Sequence, residues 1–96
     1  MEIFGSSSAE LVVTLRQWLV QRVAQYAQRP ESEIRTNLPF AEYGLDSVAA
    51  LSLFGDIEDA FGLYLEPTVA WDYPTVDTLA RHLADEVDNA KAGPAA

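Results

Sequence analysis

Between Leu11 and Tyr26 the apolar residues Leu11, Val12, Leu15, Trp18, Leu19, Val23 and Tyr26 recur at steps of three and four. That spacing puts them on one face of an α-helix, and the helix must bury that face against something else. Two further stretches share the pattern: Leu51, Phe54, Ile57 and Phe61 ahead of Gly62, and Val76, Leu79, Ala80, Leu83 and Val87 after Thr75. No stretch alternates apolar and polar residues as a half-buried strand would. Pro67 to Asp72 has room for a single helical turn, followed by Tyr73 and Pro74 as a stop. The expected fold is all-α: a small four-helix bundle of three long helices and one short one, with a long loop between helix 1 and helix 2.

The residues between these stretches predict where each helix begins and ends. Ser7 with Glu10 fits a capping box, and Pro30 stops helix 1 soon after Arg29. The second helix is expected to start at Ser47 and end before Gly62, a residue suited to a left-handed cap. Thr75 is the expected N-cap of the last helix. Pro30 to Gly44 reads as a structured loop anchored by Ile34, Leu38, Phe40 and Tyr43, and a loop of that length in a small domain usually has a function. Gly55, inside the second helix, costs up to about 1 kcal/mol relative to Ala, which leads to the expectation that something passes close to it. Trp18 and Trp71 are expected in the core or at its edge. Residues 1–8 are expected to be a flexible N-terminal segment, 9–90 the folded domain and 91–96 a flexible tail.

A chain of 96 residues can enclose one core and no second domain. It contains no Cys, which excludes disulfides, thiolate metal sites and a thiol nucleophile of its own. The first eight residues lack the basic start and apolar run of a signal peptide, no apolar run approaches the roughly 18 residues of a membrane span, and a cytoplasmic setting is expected. Fifteen Asp and Glu stand against six Lys and Arg, a net charge of −9. That balance disfavours nucleic acid and anionic membranes and favours basic protein surfaces as partners.

The stretch Gly44-Leu45-Asp46-Ser47-Val48 concentrates the chemistry. A glycine turn leads through an acidic cap residue to a serine in the first turn of an amphipathic helix. There the unpaired N–H groups carry about half a positive charge, so an anionic group attached to Ser47 would lie in a favourable field. Asp46 places a carboxylate beside the hydroxyl, able to cap the helix or to help hold a metal ion brought by a modifying enzyme.

These five residues resemble the signature around the modified serine of acyl carrier proteins. The resemblance extends across the folded unit: Ala49 to Phe61 resembles the recognition helix, Pro67 and Thr68 the start of the short third helix, and Tyr73, Pro74 and Thr75 the segment before the last helix. Pro39, Phe40, Tyr43 to Ser47, Gly55 to Asp59, Pro67 and Thr68 further resemble carriers loaded by fatty acyl-AMP ligases at the start of polyketide or lipopeptide assembly, although Val48 stands where Leu is usual and Leu63 and Tyr64 where a basic or polar residue often follows the glycine. The resemblance implies that a phosphopantetheinyl transferase links Ser47 to 4'-phosphopantetheine from coenzyme A, with Asp46 beside it. It implies a non-catalytic, monomeric carrier of acyl thioesters in polyketide, fatty-acid or lipopeptide biosynthesis, with an acyl-loading enzyme and a ketosynthase or other synthase domain as partners. Val48, Ala49, Ser52, Glu42, Asp56, Glu58 and Asp59 are the expected partner-binding residues. Between Arg35 and Arg81 there is no Lys or Arg, so the region around Ser47 is uniformly acidic, and exposed charge of that kind speeds encounters more than it tightens them.

Three other readings compete. Ser47 can be a plain first-turn serine, in which case the chain is a cofactor-free acidic interaction module. A peptidyl carrier ranks lower because its usual Gly-Gly-x-Ser is not matched at Leu45 and Asp46. A hydrolase built on Ser47, His82 and an Asp lacks the Gly-x-Ser-x-Gly elbow.

Overall fold

A computed structural model describes residues 8–66 and 68–92. Four α-helices lie within them: α1 Ser8–Ala27, α2 Ser47–Phe61, α3 Val69–Asp72 and α4 Val76–Ala92. Two 3-10 turns, Glu31–Glu33 and Phe40–Tyr43, occupy the loop between α1 and α2. No strand occurs among the described residues, only an isolated bridge between Pro39 and Thr75. The expected all-α bundle of three long helices and one short one is therefore the observed fold.

The core is built from one stripe per helix. Leu15, Leu19 and Val23 of α1, Leu53, Phe54 and Ile57 of α2, and Val76, Leu79, Ala80 and Leu83 of α4 are buried together. Burying a Leu or Ile of this kind contributes about 1.5–3 kcal/mol each, which is what holds helices of such modest length in place. α1 packs most extensively against α4, whose Ala80 and Ala84 are buried along with Val76, Leu79 and Leu83. Trp18 is half-buried and meets Phe61 edge-on, with ring centroids 5.0 Å apart, at the core edge as expected.

Three expectations fail. Leu51 is not in the buried stripe of α2: it is exposed, and Leu53 is buried in its stead. α2 turns its Leu53–Phe54–Ile57 side into the core, which leaves Leu51 outward. Trp71 is exposed, because α3 is one turn long and turns Val69 and Ala70, not Trp71, toward the core. Nothing lies within 4 Å of where a Cβ on Gly55 would sit, so no neighbour requires that glycine.

Helix ends follow the local chemistry closely. α1 stops at Ala27 because Gln28 adopts a left-handed φ of 58°. The N–H of Arg29 then bonds the Ala24 carbonyl at 3.0 Å and that of Gln28 the Gln25 carbonyl at 3.2 Å, a Schellman closure just ahead of Pro30. Gly62, φ 70°, ends α2 by donating to the Glu58 carbonyl at 2.8 Å. Thr75 caps α4: its Oγ1 accepts the Thr78 N–H at 3.1 Å while the Thr78 Oγ1 accepts the Thr75 N–H at 3.2 Å. The Ser7 half of the capping box expected for α1, and Pro67, lie outside the described residues.

The loop before α2 is a fixed platform. Ile34, Phe40 and Tyr43 are buried and Leu38 packs against them. The Tyr43 hydroxyl accepts the Arg35 N–H and donates to the Arg35 carbonyl at 2.9 Å, clamping one residue from both sides. The Phe40 N–H reaches the Pro74 carbonyl at 2.8 Å and the Asp77 N–H the Thr36 carbonyl at 2.9 Å, tying the loop to the start of α4.

α2 is tied to α1 by a polar cluster. The Tyr26 hydroxyl donates to Asp56 Oδ2 at 2.6 Å, and Arg22 Nη1 lies 3.8 Å from the same oxygen. The hydrogen bond to Asp56, then burial, push the Tyr26 phenol above its ordinary value of 10.0. A raised folded value means that the protonated phenol stabilises the fold, fully so below the ordinary value, and that this contribution is lost as pH rises through the raised one. In urea unfolding, Tyr26→Phe is expected to cost about 1 kcal/mol near neutral pH. The gap between wild type and variant should close in strong alkali.

Candidate functional site: the start of helix α2

The second 3-10 turn ends at Gly44, whose φ of 78° turns the chain back on itself while its N–H bonds the Phe40 and Ala41 carbonyls. Leu45 is buried and anchors the next step. Asp46 then sits at N-cap in extended backbone, and its Oδ1 accepts the Ala49 N–H at 2.9 Å. The glycine, the buried leucine and the capped aspartate together present Ser47 as the first residue of α2, exposed to solvent.

Its setting favours an attached anion. The N–H groups of Ser47 and Val48 open the helix and have no carbonyl of the preceding turn to bond, and they carry the positive end of the helix dipole. The Ser47 hydroxyl takes no hydrogen bond among the described residues, so derivatising it breaks nothing. Asp46 Oδ1 is committed to the cap, which holds its carboxylate beside Ser47 in a fixed orientation. Asp46→Ala is expected to lower stability by about 0.5–2 kcal/mol in thermal unfolding, with Asp46→Asn retaining most of it.

The structure distributes the expected partner-binding residues unevenly. Glu42, Val48 and Ser52 are exposed around Ser47, and Glu58 and Asp59 are exposed further along α2. Ala49 is half-buried against the core. Asp56 is half-buried and engaged with Tyr26 and Arg22. Asp77 is paired likewise, 3.1 Å from Arg16 Nε. His82 stacks on Tyr73 with ring centroids 4.3 Å apart and does not line the surroundings of Ser47. No group of side chains fit to hold a metal ion occurs among the described residues.

Sequence reasoning missed an apolar groove of about 420 Å³ beside Ser47. Buried Phe40, Leu45 and Phe54 contribute to its lining, as do exposed Leu51 and Trp71. One signal was present: Ser47, Ala50, Leu51 and Phe54 follow one another at helical steps, so the serine's own face of α2 is apolar.

The stretch 17–83 matches the family model described as "Phosphopantetheine attachment site". The chain belongs to that family, whose members hold 4'-phosphopantetheine covalently and act as non-catalytic carriers. Over 81 residues it is 36% identical to a phenolphthiocerol/phthiocerol polyketide synthase of Mycobacterium tuberculosis, covering 84% of this chain but only 4% of that much longer protein. Among solved structures it is similar to the acyl carrier protein LipD from Actinoplanes friuliensis, with 43% identity, a TM-score of 0.69, and coverage of 84% of this chain and 90% of that one. It is also similar to a free-standing peptidyl carrier protein from a secondary metabolic pathway of Acinetobacter baumannii, with 40% identity, a TM-score of 0.70, and coverage of 84% and 96%.

Proposed function

We propose that Ser47 is the attachment point, linked through a phosphodiester to 4'-phosphopantetheine taken from coenzyme A, and that the chain delivers acyl intermediates between enzymes of polyketide, fatty-acid or lipopeptide biosynthesis. The observation that carries this reading is the exposed Ser47 hydroxyl at the first position of α2, beside a capped Asp46 and under two unpaired N–H groups. When bound, the group supplies a thiol on a long arm that holds the acyl unit as a thioester, chemistry that a chain without Cys has no side chain to perform.

The chain's own residues do the rest. Ser47 fixes where the arm begins, and the clamped loop behind it fixes that point relative to the bundle. Exposed Glu42, Asp46, Glu58 and Asp59 give enzymes with basic docking surfaces a region to find quickly and leave quickly. Val48 supplies an apolar contact at its centre, 71% exposed. The partners in this reading are a phosphopantetheinyl transferase, an acyl-loading enzyme of the fatty acyl-AMP ligase kind acting at initiation, and a ketosynthase or other synthase domain, all in the cytoplasm. No helix among the described residues is long and apolar enough to cross a membrane.

Incubation with coenzyme A and a broad-specificity phosphopantetheinyl transferase tests the reading by intact mass. A single cofactor-sized increase is expected. No increase in a folded sample, with a control carrier modified in the same tube, would leave the cofactor-free interaction module. The likeness to the Acinetobacter peptidyl carrier favours a second reading within the carrier class. Loading by an aminoacyl-adenylating enzyme, and not by a fatty acyl-adenylating one, would select it.

A further inference from the structure

One side chain closes residues 35–43 into a loop. The Tyr43 hydroxyl accepts the Arg35 N–H and donates to the Arg35 carbonyl, so a single oxygen holds both backbone groups of a residue at the loop's far end. The Tyr43 ring is buried, with the Arg29 guanidinium carbon 5.9 Å from its centroid. The closed loop is in turn fastened to the start of α4, where the Thr36 carbonyl accepts the Asp77 N–H at 2.9 Å and the Phe40 N–H donates to the Pro74 carbonyl at 2.8 Å. From Tyr43 the chain reaches Ser47 with little slack. Gly44 holds a left-handed turn, Leu45 is buried with its N–H 3.4 Å from the Phe40 carbonyl, and Asp46 is the cap of α2.

We infer that Tyr43 is a positioning residue for attachment at Ser47: its hydroxyl registers the start of α2 against the start of α4 and so holds the Ser47 oxygen where the transferase needs it. The inference rests on Ser47 being the attachment point. In that reaction Ser47 Oγ forms a bond to the pantetheine-side phosphorus of coenzyme A while the bond from that phosphorus to adenosine 3',5'-bisphosphate breaks. The leaving group keeps the electron pair, and the serine proton passes to a base on the transferase. Displacement at phosphorus needs the attacking oxygen in line with the leaving one, and a misplacement of about 1 Å can cost on the order of a hundredfold in rate. The Ser47 hydroxyl takes no hydrogen bond among the described residues, so the backbone beneath it sets its place.

The other ties near the site do different work. The Asp46 cap fixes Ser47 relative to α2 but travels with that helix. The bonds at Thr36 and Phe40 hold the closed loop to α4 and leave the step from Tyr43 to Gly44 unrestrained. The Tyr26 hydroxyl, bonded to Asp56, ties α2 well beyond its first turn. Without the Tyr43 hydroxyl, both groups of Arg35 lose their partner, and the cheapest way to rehydrate them is to open the loop that carries Ser47.

Tyr43→Phe in the full chain tests this, since it keeps the buried ring and removes the hydroxyl alone. Two quantities are read: kcat and KM for loading from coenzyme A by a broad-specificity transferase, and amide hydrogen exchange of the unloaded protein. The variant is expected to reach the same final mass with kcat lowered about tenfold and KM within about twofold of wild type. Exchange should speed up roughly tenfold or more in residues 35–48 and stay unchanged in α1 and α4. Val23→Ala, which removes buried atoms from α1, is the stability control: it should lower Tm and leave the kcat of the folded protein as in wild type. Arg29→Gln removes the cation over the ring from a side chain left 47% exposed, and should slow kcat by a smaller factor, roughly twofold. A wild-type kcat in Tyr43→Phe, or in Arg29→Gln should the first variant not fold, would overturn the inference and leave attachment at Ser47 intact. Slow loading with exchange accelerated throughout α1 and α4 would overturn it too, because the hydroxyl would then be holding the whole bundle. Absence of any mass increase in wild type would remove the attachment reading itself and the inference with it.

Discussion

Ser47→Ala is expected to abolish the mass increase produced by a phosphopantetheinyl transferase and coenzyme A while leaving the fold unchanged. The effect should be complete, because the phosphodiester needs a side-chain oxygen at this point of α2 and alanine has none. Ser52 does not substitute for it. Although exposed, it lies five residues further on, about 140° round the helix and beyond the first turn, where the N–H groups are already paired. The stability change should stay within about 0.5 kcal/mol, since Ser47 is exposed and its hydroxyl takes no hydrogen bond among the described residues. Equal circular dichroism and equal Tm for the two proteins, with the mass increase in wild type alone, is the predicted outcome. Modification of the variant at the wild-type rate would assign the chemistry to another residue.

Ile57→Ala should have the largest effect on stability. Ile57 is fully buried where α2 meets the rest of the core, and removing it costs about 2–5 kcal/mol through lost burial and the cavity left behind. Small domains have only about 5–15 kcal/mol in all, so Tm should fall by roughly 8 °C or more. Leu51→Ala, six residues earlier on the same helix, is the control. Its side chain is 53% exposed, and the loss should be a small fraction of that at Ile57. Thermal unfolding followed by far-ultraviolet circular dichroism measures both. Equal losses would mean that α2 is rotated about its axis relative to the arrangement described.

That contrast also marks where sequence reasoning stops. Helix limits were legible because they depend on single residues with strong local preferences: Asp46 and Thr75 as caps, and Gly44 and Gly62 in left-handed backbone. The set Leu51, Phe54, Ile57 and Phe61 and the set Leu53, Phe54 and Ile57 are both helical stripes, offset by a fraction of a turn. Periodicity alone accepts either, and the packing of the whole core decides. Trp71 was illegible for a different reason. α3 is four residues long, too short for any pattern to repeat, so its exposure is set by tertiary placement. Gly55 was over-read, since a helix can carry the propensity cost of a glycine without a neighbour that demands it.

The candidate site was legible in part. Ser47, Asp46 and the acidic surroundings follow from the local sequence, and the structure adds how they are held. The involvement of Asp56 with Tyr26, thirty residues away in sequence, was beyond reach of local patterns, as was the groove whose walls come from the loop, α2 and the segment around α3. Acidic residues that look equivalent along one helix are thus of two kinds. Glu58 and Asp59 face solvent, while Asp56 is engaged within the fold.

The central claim is that one residue, Ser47, receives the phosphodiester. Fragmentation of the transferase-treated wild-type protein by tandem mass spectrometry, with the adduct localised among its serines and threonines, tests this most directly. The account predicts the adduct on Ser47 alone, in the peptide that also carries Asp46 and Val48. An adduct on Ser52 or on any other hydroxyl, with Ser47 unmodified, would contradict it.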